Sequence, residues 1–228
     1  MKTQPQIFMP SAGACDWKRL LLDPAKHWRR GRSARTLACC WEDANGFPPE
    51  ISAVLASAPA LTGIAPLLIF PEWKVSLPGG SRPSQNDVWV LATCDVGLVS
   101  IAVEGKVDES FGNPVVEWRK KASDGKTKRL AYLADMLGLP QPIPDDIYYQ
   151  LLHRAASALI EAARFRATQS VMLVHSFSDK DAGFDAFHAF VALYNKTAEP
   201  EKLCAVTAKD GAPLHLGWAR GDRRYLAA

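Results

Sequence analysis

Only five residues, Thr93-Cys94-Asp95-Val96-Gly97, separate two β-rich runs, Val88 to Ala92 and Leu98 to Val107. A parallel pair needs a crossover of a dozen or more residues, so a gap this short commits the chain to an antiparallel hairpin. Along the second strand, alternation places Val99, Ile101 and Val103 on one face and Ser100, Ala102, Glu104 and Lys106 on the other. If Cys94 to Gly97 is a four-residue loop, Thr93 pairs with Leu98 and Asp87 falls opposite Glu104. A three-residue loop would shift that register by one. Opposed carboxylates on paired strands repel, and a divalent cation between them turns the conflict into a binding site.

Helical signals surround the hairpin. Trp17, Leu20 and Leu21 recur at helical spacing before Asp23-Pro24 interrupts, giving a short helix at best after an irregular lead-in over 1–16. Ser33 caps a stronger segment with Ala34, Leu37, Ala38 and Trp41 on one face, closed by Asn45-Gly46. Pro48-Pro49-Glu50 opens a helix reaching about Ala56. Ile64 to Leu77 is apolar and β-compatible, but Pro66 and Pro71 confine it to an edge or break it. After the hairpin, Ser123-Asp124-Gly125-Lys126 reads as a turn, with a short helix over Arg129 to Leu137. Ile147 to Ala167 is the clearest helix, Gln169 to Phe177 a buried strand, and Phe184 to Tyr194 an amphipathic helix. Cys204 to Ala219 is a terminal hairpin turning at Lys209-Asp210-Gly211. This order predicts an α/β (α+β) fold with a mixed sheet flanked by helices and an extra C-terminal hairpin.

A chain of 228 residues fits one domain, 1–228, with a sizeable core. Five cysteines with no C-x-x-C pair argue against a disulfide framework or a thiolate zinc site, and suit reduced thiols in the cytoplasm. Met1 to Ser11 lacks the continuous apolar stretch of a signal peptide, and no long uncharged span suggests a membrane. A net charge of +3 is too small to identify a nucleic-acid partner, so local clusters matter more. These are Trp28-Arg29-Arg30-Gly31-Arg32, Arg119-Lys120-Lys121, Lys126-x-Lys128-Arg129 and Arg220-x-x-Arg223-Arg224. No G-x-G-x-x-G or Walker A pattern is present. His175-Ser176 has no Asp in a triad position and no G-x-S-x-G elbow, which speaks against serine hydrolysis.

E-x-K alone carries little information, since about one is expected by chance in a chain of this size. Together with Asp87, however, Glu104-Gly105-Lys106 resembles the PD-(D/E)XK nuclease superfamily. The flanks Leu77-Pro78-Gly79-Gly80, Ser84-Gln85-Asn86-Asp87 and Val103-Glu104-Gly105-Lys106-Val107-Asp108-Glu109-Ser110-Phe111-Gly112 are similar to a largely bacterial, functionally uncharacterised family placed in it. So are Tyr149-Gln150-Leu151-Leu152-His153-Arg154 and Val174-His175-Ser176-Phe177. The resemblance spans about Trp17 to Gly221 and implies a restriction-endonuclease-like core with metal-dependent hydrolysis of nucleic acid. Asn86 stands where the superfamily has proline.

On that resemblance, Asp87 and Glu104 would hold Mg²⁺ or Mn²⁺, and Lys106 would orient the attacking water or stabilise phosphorane charge. An acidic residue from the first core helix is often part of such sites. Glu50, Glu42 and Glu72 compete for that role, with Glu50 favoured because its helix immediately precedes the first strand. Gln150 matches a glutamine that many superfamily members carry near the metal. Arg154 shares its helix face at i+4, and His153 lies beside it at i+3. Nucleic-acid contact is expected from Arg154, Arg119, Lys120 and Lys121, with Trp118 as a candidate base-stacking side chain. The expected partner is DNA, with RNA and a homodimer left open. The rival expectation is a catalytically silent nucleic-acid or protein-binding module within a defence or repair system.

Overall fold

The computed structural model describes residues 11–120 and 122–228. A 3₁₀ turn over Ala14–Leu20 precedes the one-turn helix α1 (Pro24–His27), then α2 (Ser33–Ala44) and α3 (Pro49–Ala56). Asn45 ends α2 in the left-handed conformation at φ 44. Ser33 is the first residue of α2 and not its cap: Arg32 takes that position with no side-chain cap bond, and the Ser33 N–H is given to the Glu109 carboxylate, 3.1 Å away.

Three antiparallel strands follow: β1 (Ala65–Val75), β2 (Ser84–Cys94) and β3 (Gly97–Lys106). Next come α4 (Val115–Lys120), α5 (Asp124–Leu137), α6 (Tyr149–Phe165), β4 (Gln169–Ser176), α7 (Phe184–Ala192), β5 (Leu203–Thr207) and β6 (Pro213–Arg220). Ser123 accepts the Lys126 N–H and so caps α5. The segment expected to turn at 123–126 is therefore the start of a helix.

The strands form one six-stranded mixed sheet in the order β1-β2-β3-β4-β6-β5. β3 and β4 are parallel, as are β4 and β6, and the terminal hairpin adds the antiparallel β5 at the far edge. β1 takes the other edge, where its prolines need no inter-strand partner on the outer side. No helix among the described residues is long and apolar enough to cross a membrane.

Each face of the sheet buries its own core. On one face, Leu37, Trp41, Ile51 and Leu55 of α2 and α3 pack against Val88, Val90, Ile101, Val103 and Leu173. On the other, Leu133, Leu151, Leu152 and Phe187 of α5, α6 and α7 cover Ala102, Met172, Val174 and Leu216. Each fully buried side chain of this kind contributes about 1.5–3 kcal/mol. Ala155, Ala156 and Ala158 are buried along α6, and such small side chains let a helix approach a sheet closely. The polar N-terminal half of α6 is thereby held against the end of β3.

The loop leading into β2 is clamped from α5. Arg129, buried, donates Nε to the Pro78 carbonyl at 2.7 Å and Nη2 to those of Gly80 at 3.0 Å and Leu77 at 3.3 Å. Gly79 adopts φ 78 with the Gly125 backbone where a Cβ would lie, which only glycine tolerates. Removing the guanidinium strands three carbonyls, so Arg129→Met is expected to cost about 3 kcal/mol in urea unfolding followed by tryptophan fluorescence. A loss under about 1 kcal/mol would mean that water replaces the clamp without penalty.

Candidate active site

Strand register sets three carboxylates side by side. Thr93 pairs with Leu98 and Cys94 with Gly97, leaving Asp95-Val96 as the turn. Val88 pairs with Val103, so Asp87 comes opposite Glu104. On the other side of β2, Pro71 pairs with Val88 and Trp73 with Asn86, which puts Glu72 opposite Asp87. Glu72 has φ 53, a conformation costing a non-glycine residue about 1–2 kcal/mol. Its carboxylate accepts from Gln85 Nε2 at 2.7 Å.

The Glu104 carboxylate is only 3% exposed and accepts three hydrogen bonds. Its Oε1 accepts from Lys106 Nζ at 2.8 Å and Gln150 Nε2 at 2.7 Å, and its Oε2 receives Arg154 Nε. Lys106 also donates to Gln150 Oε1 at 3.0 Å, and its ammonium lies 4.9 Å from the Phe111 ring centroid. Asp87 Oδ2 accepts the Gly105 N–H at 2.7 Å. Structure thus brings together Asp87, Glu104, Lys106, Gln150 and Arg154. Arg154 is buried in that network as the counter-ion of Glu104 and does not extend a free guanidinium towards nucleic acid.

Charge in this cluster does not balance, since three carboxylates face two cations. Burial pushes Asp87 well above the usual carboxylate range, and the neighbouring charges of Glu104 and Glu72 add to it. Burial likewise lifts Glu72 to about 7. Glu104 is pushed up by burial too, but Arg154 and Lys106 outweigh it and hold it below its usual value. An oxygen-donor set short of positive charge suits a hard divalent cation, and Asp87 with Glu72 and Glu104 could hold one.

Glu50 sits elsewhere. Its helix α3 packs on the opposite face of the sheet, where Glu50 Oε1 meets His175 Nε2 at 2.9 Å and Cys40 Sγ at 3.6 Å. His175 follows Val174, the β4 partner of Glu104, and successive strand residues point to opposite faces. Cys40, Glu50 and His175 are close enough to suggest a metal site, but Trp41 argues against it. Its indole can only donate, and it donates to His175 Nδ1 at 3.3 Å. The proton of the neutral ring is therefore on Nε2, directed at Glu50, and a metal at that nitrogen would displace it. Burial holds His175 below its usual range, consistent with a neutral ring. Glu42, the third competitor, accepts from Trp17 Nε1 at 2.6 Å and from Ser11 Oγ at 2.5 Å. Glu72 alone of the three lines the groove containing Asp87 and Glu104. Its position was readable from the pairing of β1 with β2, once β1 was known to be the outer neighbour.

That groove encloses about 760 Å³, and one rim carries Lys26, His27, Arg29 and Arg32 from α1 and the turn after it. Trp118 reaches the groove too, but it stacks on Tyr149 with ring centroids 3.8 Å apart and carries the Lys126 ammonium 4.9 Å from its ring. Arg119 pairs with Asp145 and lines a separate, smaller cavity, and Lys120 pairs with Glu117. Lys121 lies outside the described residues. Arg119 and Lys120 are thus not part of the groove's basic wall, which comes from 26–32. Beside the groove, Ser84 Oγ lies 2.8 Å from His153 Nδ1 and Ser157 Oγ donates to the His153 carbonyl at 2.7 Å, and buried hydroxyls of this kind carry no spacing signal in the sequence.

A family model described as a domain of unknown function (DUF6946) matches residues 10–223, and the chain belongs to that family. No curated protein and no solved structure matches it.

Folded Glu72 holds its proton more tightly than the unfolded chain does. The cost of ionising it therefore accumulates as pH rises from about 4.5 to about 7 and is complete above that. Glu72→Gln removes this cost, and in EDTA it is expected to stabilise the protein by about 3 kcal/mol at pH 8, with the advantage nearly gone at pH 4.5. Thermal melts at the two pH values check this, and a variant less stable than wild type at pH 8 would contradict it.

Proposed function

We propose that the protein is a metal-dependent nuclease of the PD-(D/E)XK type, hydrolysing phosphodiester bonds of DNA. The observation that carries this reading is the row Glu72, Asp87 and Glu104 across three neighbouring strands, with Lys106 one alternation further along β3, all lining one groove. The basic rim of that groove supports an anionic polymer as substrate. Lys26, Arg29 and Arg32 lie on it, and none of them is in an ion pair among the described residues.

A bound Mg²⁺ or Mn²⁺, held by Asp87 and Glu104 with help from Glu72, would polarise the phosphoryl group and acidify an attacking water. The chain's own side chains supply the remainder. Lys106 spends two of its three N–H donors on Glu104 and Gln150, which leaves one for the groove that it lines. There it orients the incoming water and stabilises charge developing on the phosphorane oxygens. Gln150 bridges Lys106 and Glu104 and keeps the ammonium from swinging away. Arg154 neutralises Glu104 from behind.

A second reading has one observation in its favour: both Glu104 oxygens are already taken by protein donors. A catalytically silent module that kept the fold and binds nucleic acid would look the same. Cleavage of supercoiled plasmid and single-stranded DNA with Mn²⁺ separates the two. The nuclease is expected to cut, and Lys106→Ala and Asp87→Ala are each expected to lower the rate about 10²–10³-fold while DNA binding survives Lys106→Ala. Saturable DNA binding with no cutting by wild type would assign the silent module.

A further inference from the structure

Beside the carboxylates stands an imidazole whose protonation its neighbours dictate. His153, on α6, places Nδ1 2.8 Å from Ser84 Oγ and 3.2 Å from Arg154 Nη1. A guanidinium has no lone pair to offer, so the nitrogen it approaches must be the bare one. Ser84 fits that assignment. Its oxygen receives Arg154 Nη1 at 3.0 Å, and its own proton has His153 Nδ1 as an acceptor at 2.8 Å, while the neighbouring Ser157 hydroxyl gives its proton to the His153 carbonyl at 2.7 Å. Ser84 is 1% exposed, so this Ser–His pair has no reachable nucleophile. The ring proton is then on Nε2, on the far side of the imidazole from the Ser84 bond. His153 lines the groove together with Lys106, Gln150 and Asp87.

We propose that His153 is a fixed, neutral N–H donor that hydrogen-bonds a non-bridging phosphoryl oxygen of a nucleic-acid backbone lying in the groove, a contact that rests on the nuclease reading for its substrate. It is neither general base nor general acid. Acting as a base would require a bare Nε2 and hence a proton on Nδ1, pointed at Arg154. Acting as an acid would leave an imidazolate. Arg154 therefore has two roles, neutralising Glu104 through Nε and fixing the His153 tautomer through Nη1. Burial, reinforced by the charges of Arg154, Arg129 and Lys106, holds the imidazole well below its usual range, so it stays a donor through neutral pH. The Tyr149 ring, 4.8 Å away, packs beside it and restrains its rotation.

Two measurements on the full chain test this. Long-range ¹H–¹⁵N correlation spectra, with the His153 signals assigned through His153→Gln, are expected to show the Nε2–H tautomer unchanged from pH 6 to pH 8. An Nδ1–H tautomer, or a ring that titrates in that range, overturns the proposal. In Ca²⁺, binding of a labelled single-stranded DNA oligonucleotide is expected to weaken about tenfold in His153→Ala and to recover to within about threefold in His153→Gln, which restores an N–H donor. The wild-type Nε2 signal is expected to shift on titration with the same oligonucleotide. Equal affinity in wild type and His153→Ala with no shift overturns the contact, as does absence of DNA binding in wild type. Binding and shift as expected, with no Mn²⁺-dependent cleavage by wild type, would overturn the nuclease reading and leave the contact standing.

Discussion

One buried carboxylate organises the site. Glu104 receives Lys106, Gln150 and Arg154, and each of those side chains is oriented by that bond. Such an arrangement does not have to add net stability, because desolvating the charges costs as much as their attraction returns. Its value is positional: deleting one partner leaves an uncompensated buried charge, which costs about 3–5 kcal/mol. The ammonium and guanidinium are consequently locked in place. Asp87 and Glu72 are left with the unpaired share of negative charge, where an incoming cation has most to gain.

The parity of β-structure separates this cluster from the other polar network in the protein. Glu104 and His175 differ by a single residue in β3–β4 register, yet one faces α6 and the other faces α3. Trp41, His175 and Glu50 form a closed chain of donors and acceptors in which every proton has a partner. On the Glu104 face the carboxylates outnumber the cations. Two clusters of similar composition thus differ in whether their charges are already satisfied.

Much of the fold could be read from the sequence because it rests on local signals. Asn45-Gly46, Pro48-Pro49 and the five-residue gap after Ala92 each act through backbone geometry within a few residues, and α2, α3 and the β2–β3 hairpin follow from them. The opposition of Asp87 and Glu104 came from the same hairpin by counting. What depended on packing was less accessible. Ser123 caps a helix where composition suggests a turn, since the apolar face of α5 becomes visible only against α6. Glu50 was favoured over Glu72 because helix order does not reveal which face of the sheet a helix will cover. Arg119 and Lys120 read as nucleic-acid contacts because adjacency in sequence says nothing about which charges are already consumed by Asp145 and Glu117.

Strand order also bears on how the chain assembles as it is synthesised. β1, β2, β3, α6 and β4 have all been made by residue 176, so every side chain around Glu104 is available early. The strand that covers the outer edge of β4, however, is β6, which begins at Pro213. Until it arrives, β4 presents a row of unpaired backbone groups flanked by Val171, Leu173 and Val174, an invitation to pair with another chain. Emergence from the ribosome at about 5–20 residues per second keeps that edge open for seconds. The vulnerable interval in the life of this protein is therefore its own biosynthesis, and the last strand to dock has a protective function distinct from any chemistry in the groove.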